Sequence, residues 1–153
     1  MSARLNYAKA FPAGLHAVLG VEKAVRESGL EASLLELVKT RASQLNGCAY
    51  CIDMHTKDAR AAGETEQRLY ALSAWRETPF FTPREQAALA WTEAVTNIQQ
   101  GHANDAEYES ARQQFDEAEL TKLTIAIAQI NVWNRIAIAF RAEPGDYKPS
   151  QKA

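Results

Sequence analysis

Apolar residues recur along this chain at helical spacing. Between Glu31 and Leu45 they fall at Leu34, Leu35, Leu37, Val38, Ala42 and Leu45, and the run stops at Asn46-Gly47. A second helix starts at the cysteines that follow and runs to Ala62, closed by Gly63. Before this pair, Leu15 to Glu27 reads as a helix ended by Ser28-Gly29. After it, Thr65 caps a helix carrying Leu69, Leu72 and Trp75. Thr82-Pro83-Arg84-Glu85 supplies a cap, a first-turn proline and the partner of a capping box, opening a helix to about Gln100. Asn104 or Asp105 starts a short helix to Phe115. Asp116, with Glu119 three residues on, starts a long one reaching about Phe140.

That last segment also alternates, at Ile125-Ala126-Ile127 and Ile136-Ala137-Ile138, which admits a strand. Its length without an internal turn signal rejects one. Being apolar nearly all round, it is a central buried helix or one shared with another subunit. The expected fold class is all-α, with one helical domain over 1–143 and a loose, proline-containing tail over 144–153.

Composition narrows the function classes. A chain of 153 residues suits one compact domain, and 46% hydrophobic with 24% charged residues is ordinary for a globular protein. A net charge of -2, with basic residues scattered, gives no reason to expect nucleic acid. The opening residues do not read as a signal peptide. The longest apolar stretch, Leu123 to Trp133, is broken by Gln129 and Asn131 and is too short for a bilayer, so no membrane partner is expected. The expected compartment is the cytoplasm, where a cysteine pair is redox-active or metal-binding more often than structural.

The chemistry concentrates in Asn46-Gly47-Cys48-Ala49-Tyr50-Cys51-Ile52-Asp53-Met54-His55, which holds both cysteines of the chain. On a helix Cys48 and Cys51 share a face, as do Cys51 and His55. The helix N-terminus favours a thiolate, and His55 is placed to take a proton from Cys51. An imidazole in that role needs a partner that fixes its tautomer. Glu36 is the candidate: if the helices flanking Asn46-Gly47 form an antiparallel hairpin, Glu36 and His55 lie within about one turn of each other. Glu36 also sits among Leu34, Leu35, Leu37 and Val38, an awkward place for an unpartnered charge. The helix dipole favours Cys48 as the more acidic thiol, and the nearby base favours Cys51; the base is the more specific argument. A zinc site is the competing reading, but only two cysteines are available, and His55 lies about 10 Å along a helix from Cys48. No resident metal or cofactor is expected.

The pattern Glu36, eleven residues, Cys48-x-x-Cys51, three residues, His55 resembles the AhpD-like alkylhydroperoxidases of the carboxymuconolactone decarboxylase superfamily. Leu37-Val38-Lys39-Thr40-Arg41-Ala42-Ser43 and Asp53-Met54-His55-Thr56-Lys57-Asp58-Ala59-Arg60 also read like that family, so the likeness spans most of the chain. The resemblance implies an all-helical bundle built on a helical hairpin around the C-x-x-C, assembled as a homo-oligomer (trimer or hexamer). It implies reduction of an organic hydroperoxide, with Cys51 peroxidatic, Cys48 resolving, and Glu36 and His55 as proton relay. The disulfide would be reduced by an external dithiol or thiol, a lipoyl-type or small-thiol reductant by the same resemblance. Some family members carry a histidine between the cysteines; here that position is Tyr50, a poor base near neutral pH that suits a pocket role. Two other functions fit the same pattern: a decarboxylase or lactone-processing enzyme on this fold, and a non-catalytic redox-sensing or zinc-binding module.

Asn134 is a candidate pocket residue or, with Asn131 and Arg135, an interface group, and the interface is preferred. Asp53 and Lys57 read as a solvated ion pair. His16 and His102 read as incidental. Trp75, Trp91 and Trp133 read as core or subunit contacts.

Overall fold

The computed structural model describes residues 2–149. Its elements are α1 Tyr7–Ala10, α2 Pro12–Arg26, α3 Ala32–Asn46, α4 Ala49–Ala61, α5 Glu66–Ala71, a 3₁₀ turn Leu72–Glu77, α6 Pro83–Thr96, α7 Ile98–Gly101, α8 Asp105–Arg112 and α9 Glu117–Phe140. Among the described residues there is no strand, and the fold is all-α. The boundaries follow local chemistry. Thr82, Asn104 and Asp116 each form a complete capping box with the glutamate three residues on. Gly47 ends α3 in the left-handed region at φ 69°, where a side chain would be strained.

Some expectations need correction. The helix after Thr65 breaks into α5 and a 3₁₀ turn, with Ala74 at non-helical φ/ψ. The helix from Thr82 stops at Thr96, and α7 is separate. The short α1 was not anticipated. Most consequentially, α4 begins at Ala49, so Cys48 is its N-cap and Cys51 its third residue.

Helix α3 touches α4, α6 and α9 and is the centre of the molecule. Leu34, Leu35 and Val38 face Ala88 and Trp91 of α6, Leu123, Ala126 and Ile127 of α9, and Phe115. Leu37 points the other way, into a second cluster with Leu72, Trp75, Phe81 and Leu89. Each fully buried leucine contributes roughly 1.5–3 kcal/mol, which fixes α3 on both sides. The hairpin partner α4 is therefore mounted on an immobile helix.

Helix α9 has 24 residues, more than the apolar run 123–133 suggested, and by length and composition alone it could cross a bilayer. It instead lies along α3 and α6, burying Leu123, Ala126, Ile127, Ile130 and Asn134. Its outer side leaves Ile125, Val132 and Ile138 exposed, and α2 buries only Val25 while exposing Leu19 and Val21. The segment from Pro144 has no helix, but as far as Tyr147 it is not the loose tail expected. Gly145 N donates to Asp53 Oδ2 (3.0 Å), Lys57 Nζ donates to Gly145 O (2.8 Å) and Tyr147 O (3.1 Å), and Tyr147 OH reaches Asp58. The Asp53–Lys57 pair is thus a clamp on the chain end as well as an ion pair. The rest of the expected tail, 150–153, lies outside the described residues.

Candidate functional site

The site is assembled at the turn between α3 and α4. Cys48 N donates to Ser43 O (2.9 Å), so the N-cap is tied to the end of α3. Cys48 Sγ in turn accepts from Cys51 N (3.3 Å), the position a capping hydroxyl would take. Cys48 and Cys51 are joined as a disulfide, with Cα atoms 5.4 Å apart. Both are buried beside Ala137 of α9, with Tyr50 and Ala142 packed against them. Two surface hollows, one at Trp91, Tyr108 and Ile125 and one at Trp75, Ala90 and Gln113, include none of the sulfur, imidazole or Glu36 atoms and belong to other faces.

The hairpin brings Glu36 and His55 together, with Oε2 2.9 Å from Nδ1. An ionised carboxylate only accepts, so Nδ1 carries the hydrogen, and the neutral imidazole keeps its lone pair on Nε2. Nε2 is buried and has no hydrogen-bond partner. One helical turn separates His55 from Cys51 on the same helix, so a buried, unoccupied base lies on the face that carries the sulfur.

Behind this pair is a charge array that the sequence did not reveal. Lys39 is buried at 4% exposure. Its Nζ lies 2.7 Å from Glu22 Oε1 of α2 and 4.0 Å from Glu36 Oε1. Burial works against the charge on Glu22, but Lys39 overcomes it and holds that carboxyl below the usual range. On the other side, Asp58 stands one turn beyond His55. The donor atoms of Glu36, His55 and Asp58 lie within 4.8 Å of one another. Within this group Nδ1 meets Glu36, and Tyr147 OH lies 2.8 and 3.0 Å from the two Asp58 oxygens, so the three side chains form part of a hydrogen-bonded network. The sulfurs, paired with each other, are not available as zinc ligands in this state.

Glu22, Lys39, Asp58 and Tyr147 are the members that the sequence reading missed. Lysine defaults to the surface, and only Lys39's position among Leu37, Val38 and Thr40, all fully buried, hinted otherwise. Tyr50 packs against the disulfide. Asn134 does not line a pocket or an interface: it is fully buried, donates from Nδ2 to Ser43 Oγ (3.0 Å) and accepts from Asn46 Nδ2 (2.8 Å). Asn131 joins the same network through Asn46 and Thr96.

Residues 12–94 match the carboxymuconolactone decarboxylase family. The uncharacterised protein YdfG of Bacillus subtilis is 46% identical over 139 residues, 91% of this chain and 95% of that one. A crystal structure from Agrobacterium tumefaciens, of a protein of unknown function for which an AhpD antioxidant-defence role has been suggested, superposes with a TM-score of 0.92 at 45% identity, covering 95% of this chain and all of that one. A peroxidase-related protein from Ralstonia eutropha with an AhpD core shares the fold at 20% identity, with a TM-score of 0.79 over 91% of this chain and 74% of that one. Joined to the C-x-x-C hairpin, the Glu36–His55 contact and the all-helical bundle, these likenesses place the chain in the carboxymuconolactone decarboxylase family, among its AhpD-like members.

Proposed function

We propose that the protein is a thiol-dependent peroxidase that reduces organic hydroperoxides in antioxidant defence. The observation that carries this reading is the unpartnered Nε2 of His55, fixed through Nδ1 by Glu36, one turn from a cysteine in a closed C-x-x-C disulfide.

In the reduced protein, His55 Nε2 takes the proton of Cys51. The thiolate attacks the distal oxygen of the hydroperoxide; an S–O bond forms, the O–O bond breaks, and the departing alkoxide takes the proton from the imidazolium. The products are an alcohol and a Cys51 sulfenic acid. Cys48 then attacks the Cys51 sulfur and expels water, forming the disulfide seen here. An external dithiol reduces it by exchange and leaves oxidised. A lipoyl-type dithiol in the cytoplasm fits this step, because buried sulfurs call for a narrow, flexible reductant. Tyr50 shapes the pocket over the disulfide. The enzyme works as a homo-oligomer, trimer or hexamer, through the exposed apolar sides of α2 and α9, and needs neither nucleic acid, membrane nor cofactor.

The test is turnover of cumene hydroperoxide with excess dihydrolipoamide, against C51S, C48S and E36Q. The expected result is no turnover in C51S, a single sulfenic acid without turnover in C48S, and a loss of roughly 10²-fold in E36Q. Full activity in either cysteine variant rejects the mechanism in favour of a lactone- or acid-processing reaction that needs no dithiol. A disulfide that forms once with no turnover makes the protein a sensor.

A further inference from the structure

The segment Gly145 to Tyr147 is held to the helix that carries Cys51 by three side chains of that helix, and one of these links ends next to the Glu36–His55 pair. Asp53 and Lys57 fix Gly145 and the carbonyl of Tyr147. This delivers the Tyr147 hydroxyl to both oxygens of Asp58, at 2.8 and 3.0 Å. Cys51, His55 and Asp58 are spaced four and three apart, so all project from one side of α4.

Asp58 poses an electrostatic problem. Around His55 stand Glu36 and Glu22 from the facing elements and Asp58 from its own helix. The buried cation answering them is Lys39, which contacts Glu22 and Glu36. Asp58 has no cation of its own among the described residues; the group that meets it is the Tyr147 phenol, with Glu36 and Tyr50 the other titratable side chains near that phenol.

We infer that Tyr147 is a positioning residue of the redox site, which acts through Asp58 by hydrogen-bonding its carboxylate and so limiting the negative potential felt by the Cys51–His55 pair. The inference rests on the proposed thiol chemistry only in assuming that Cys51 and His55 exchange a proton. The state of the phenol agrees with it: burial, the Asp58 hydrogen bond and the charges of Asp58 and Glu36 push its ionisation up to about 12, so it stays a donor at every pH at which a thiol titrates.

If Cys51 and His55 exchange a proton, an uncompensated negative charge beside them makes it harder to remove a proton from either. Removing the phenol hydroxyl bares the carboxylate; removing the carboxylate does the opposite. The test is the pH profile of iodoacetamide alkylation of reduced protein in a C48S background, where Cys51 is the remaining thiol. Y147F is expected to move the profile to higher pH by about half a unit, and D58N to lower pH by about one unit. The double variant is expected to match D58N alone, since Tyr147 has nothing to act through once the carboxylate is gone. A structural role in packing the chain end would move both single variants the same way, or neither. Superposed profiles for Y147F and its parent, or a double variant displaced from D58N, overturn the inference. If Y147F does not fold, the direction of the D58N shift still decides, because an upward or null shift removes the repulsion that Tyr147 is said to relieve. Alkylation is independent of peroxide, so opposed shifts without peroxide turnover sink the proposed function alone, and turnover with superposed profiles sinks this inference alone.

Discussion

Replacing Asn134 by alanine should destabilise the protein by roughly 2–4 kcal/mol, and the structure shows where that comes from. The side chain is fully buried, with one hydrogen bond donated to Ser43 Oγ and one accepted from Asn46 Nδ2. Each lost bond costs about 1 kcal/mol net, and leaving buried partners unsatisfied adds to it. Two observations limit the damage. Ser43 Oγ still donates to Lys39 O, and Asn46 Nδ2 keeps Ala42 O and Asn131 Oδ1 within 3.0 Å. The space vacated beside Ala137 and the turn adds a cavity penalty of about 1 kcal/mol. For a domain of this size the total is a fall of roughly 5–10 °C in melting temperature. The assay is far-UV circular dichroism on the oxidised protein, with N131A as control. Asn131 is only half-buried, so water replaces its partners and its loss should cost less than about 1 kcal/mol. A melting temperature for N134A within about 2 °C of wild type, or a larger loss in N131A, refutes this account. A change in oligomer size with unchanged melting would restore the interface role expected from sequence.

Glu93 should be a main source of acid sensitivity. Burial raises its carboxyl, but hydrogen bonds from Trp75 Nε1 (2.8 Å), Arg76 and Arg41 prevail and hold it below the usual carboxylate range. A depressed folded-state value stabilises above the unfolded value of about 4.3 and is lost as pH falls through the folded one, so the urea midpoint of wild type should exceed that of E93Q at pH 7, with the gap closing at pH 3. A gap that widens on acidification contradicts the assignment. For the oligomer, sedimentation of wild type should show a trimer or hexamer, and V132E, on the outer side of α9 with Ile125 and Ile138, should shift it to smaller species; a wild-type monomer removes the proposal.

What the sequence revealed is what local chemistry decides. Gly47, Thr82, Asn104 and Asp116 mark helix ends through their own backbone and side-chain preferences, and a helical period that stops at Asn46-Gly47 and resumes at the cysteines leaves a hairpin as the compact choice. Glu36 was found because its spacing from the motif sets it opposite His55 across the hairpin, with its apolar neighbours as secondary support. What it concealed depends on distant contacts. Beyond its neighbours Leu37, Val38 and Thr40, little local distinguishes Lys39 from an exposed lysine; its burial goes with the contact between α2 and α3 that puts Glu22 in reach. Asn134 reads the same whether it faces solvent, a subunit or Ser43. The Pro144–Tyr147 segment has the composition of a loose end, and only hydrogen bonds with the Asp53, Lys57 and Asp58 side chains of α4 tie it to that helix.

The charge balance of the site bears on why its proton sits where it does. The single charge of Lys39 lies near both Glu22 and Glu36 and can offset only one of the two, and an imidazolium formed at His55 would offset the other. With neutral His55 the array of Glu22, Lys39 and Glu36 carries one excess negative charge; with protonated His55 it is balanced. In the proposed mechanism, taking a proton from Cys51 would neutralise this part-buried array as it creates the thiolate, so the cost of forming one charge would be offset by the removal of another. On the inference drawn for Tyr147, Asp58 would tilt that balance toward holding the proton too firmly to return it to a leaving alkoxide, and a neutral hydrogen-bond donor there would temper the tilt where a second cation would reverse it. A lysine at position 147 should for that reason release the proton of the Cys51–His55 pair at lower pH than the tyrosine does, whereas phenylalanine should release it at higher pH.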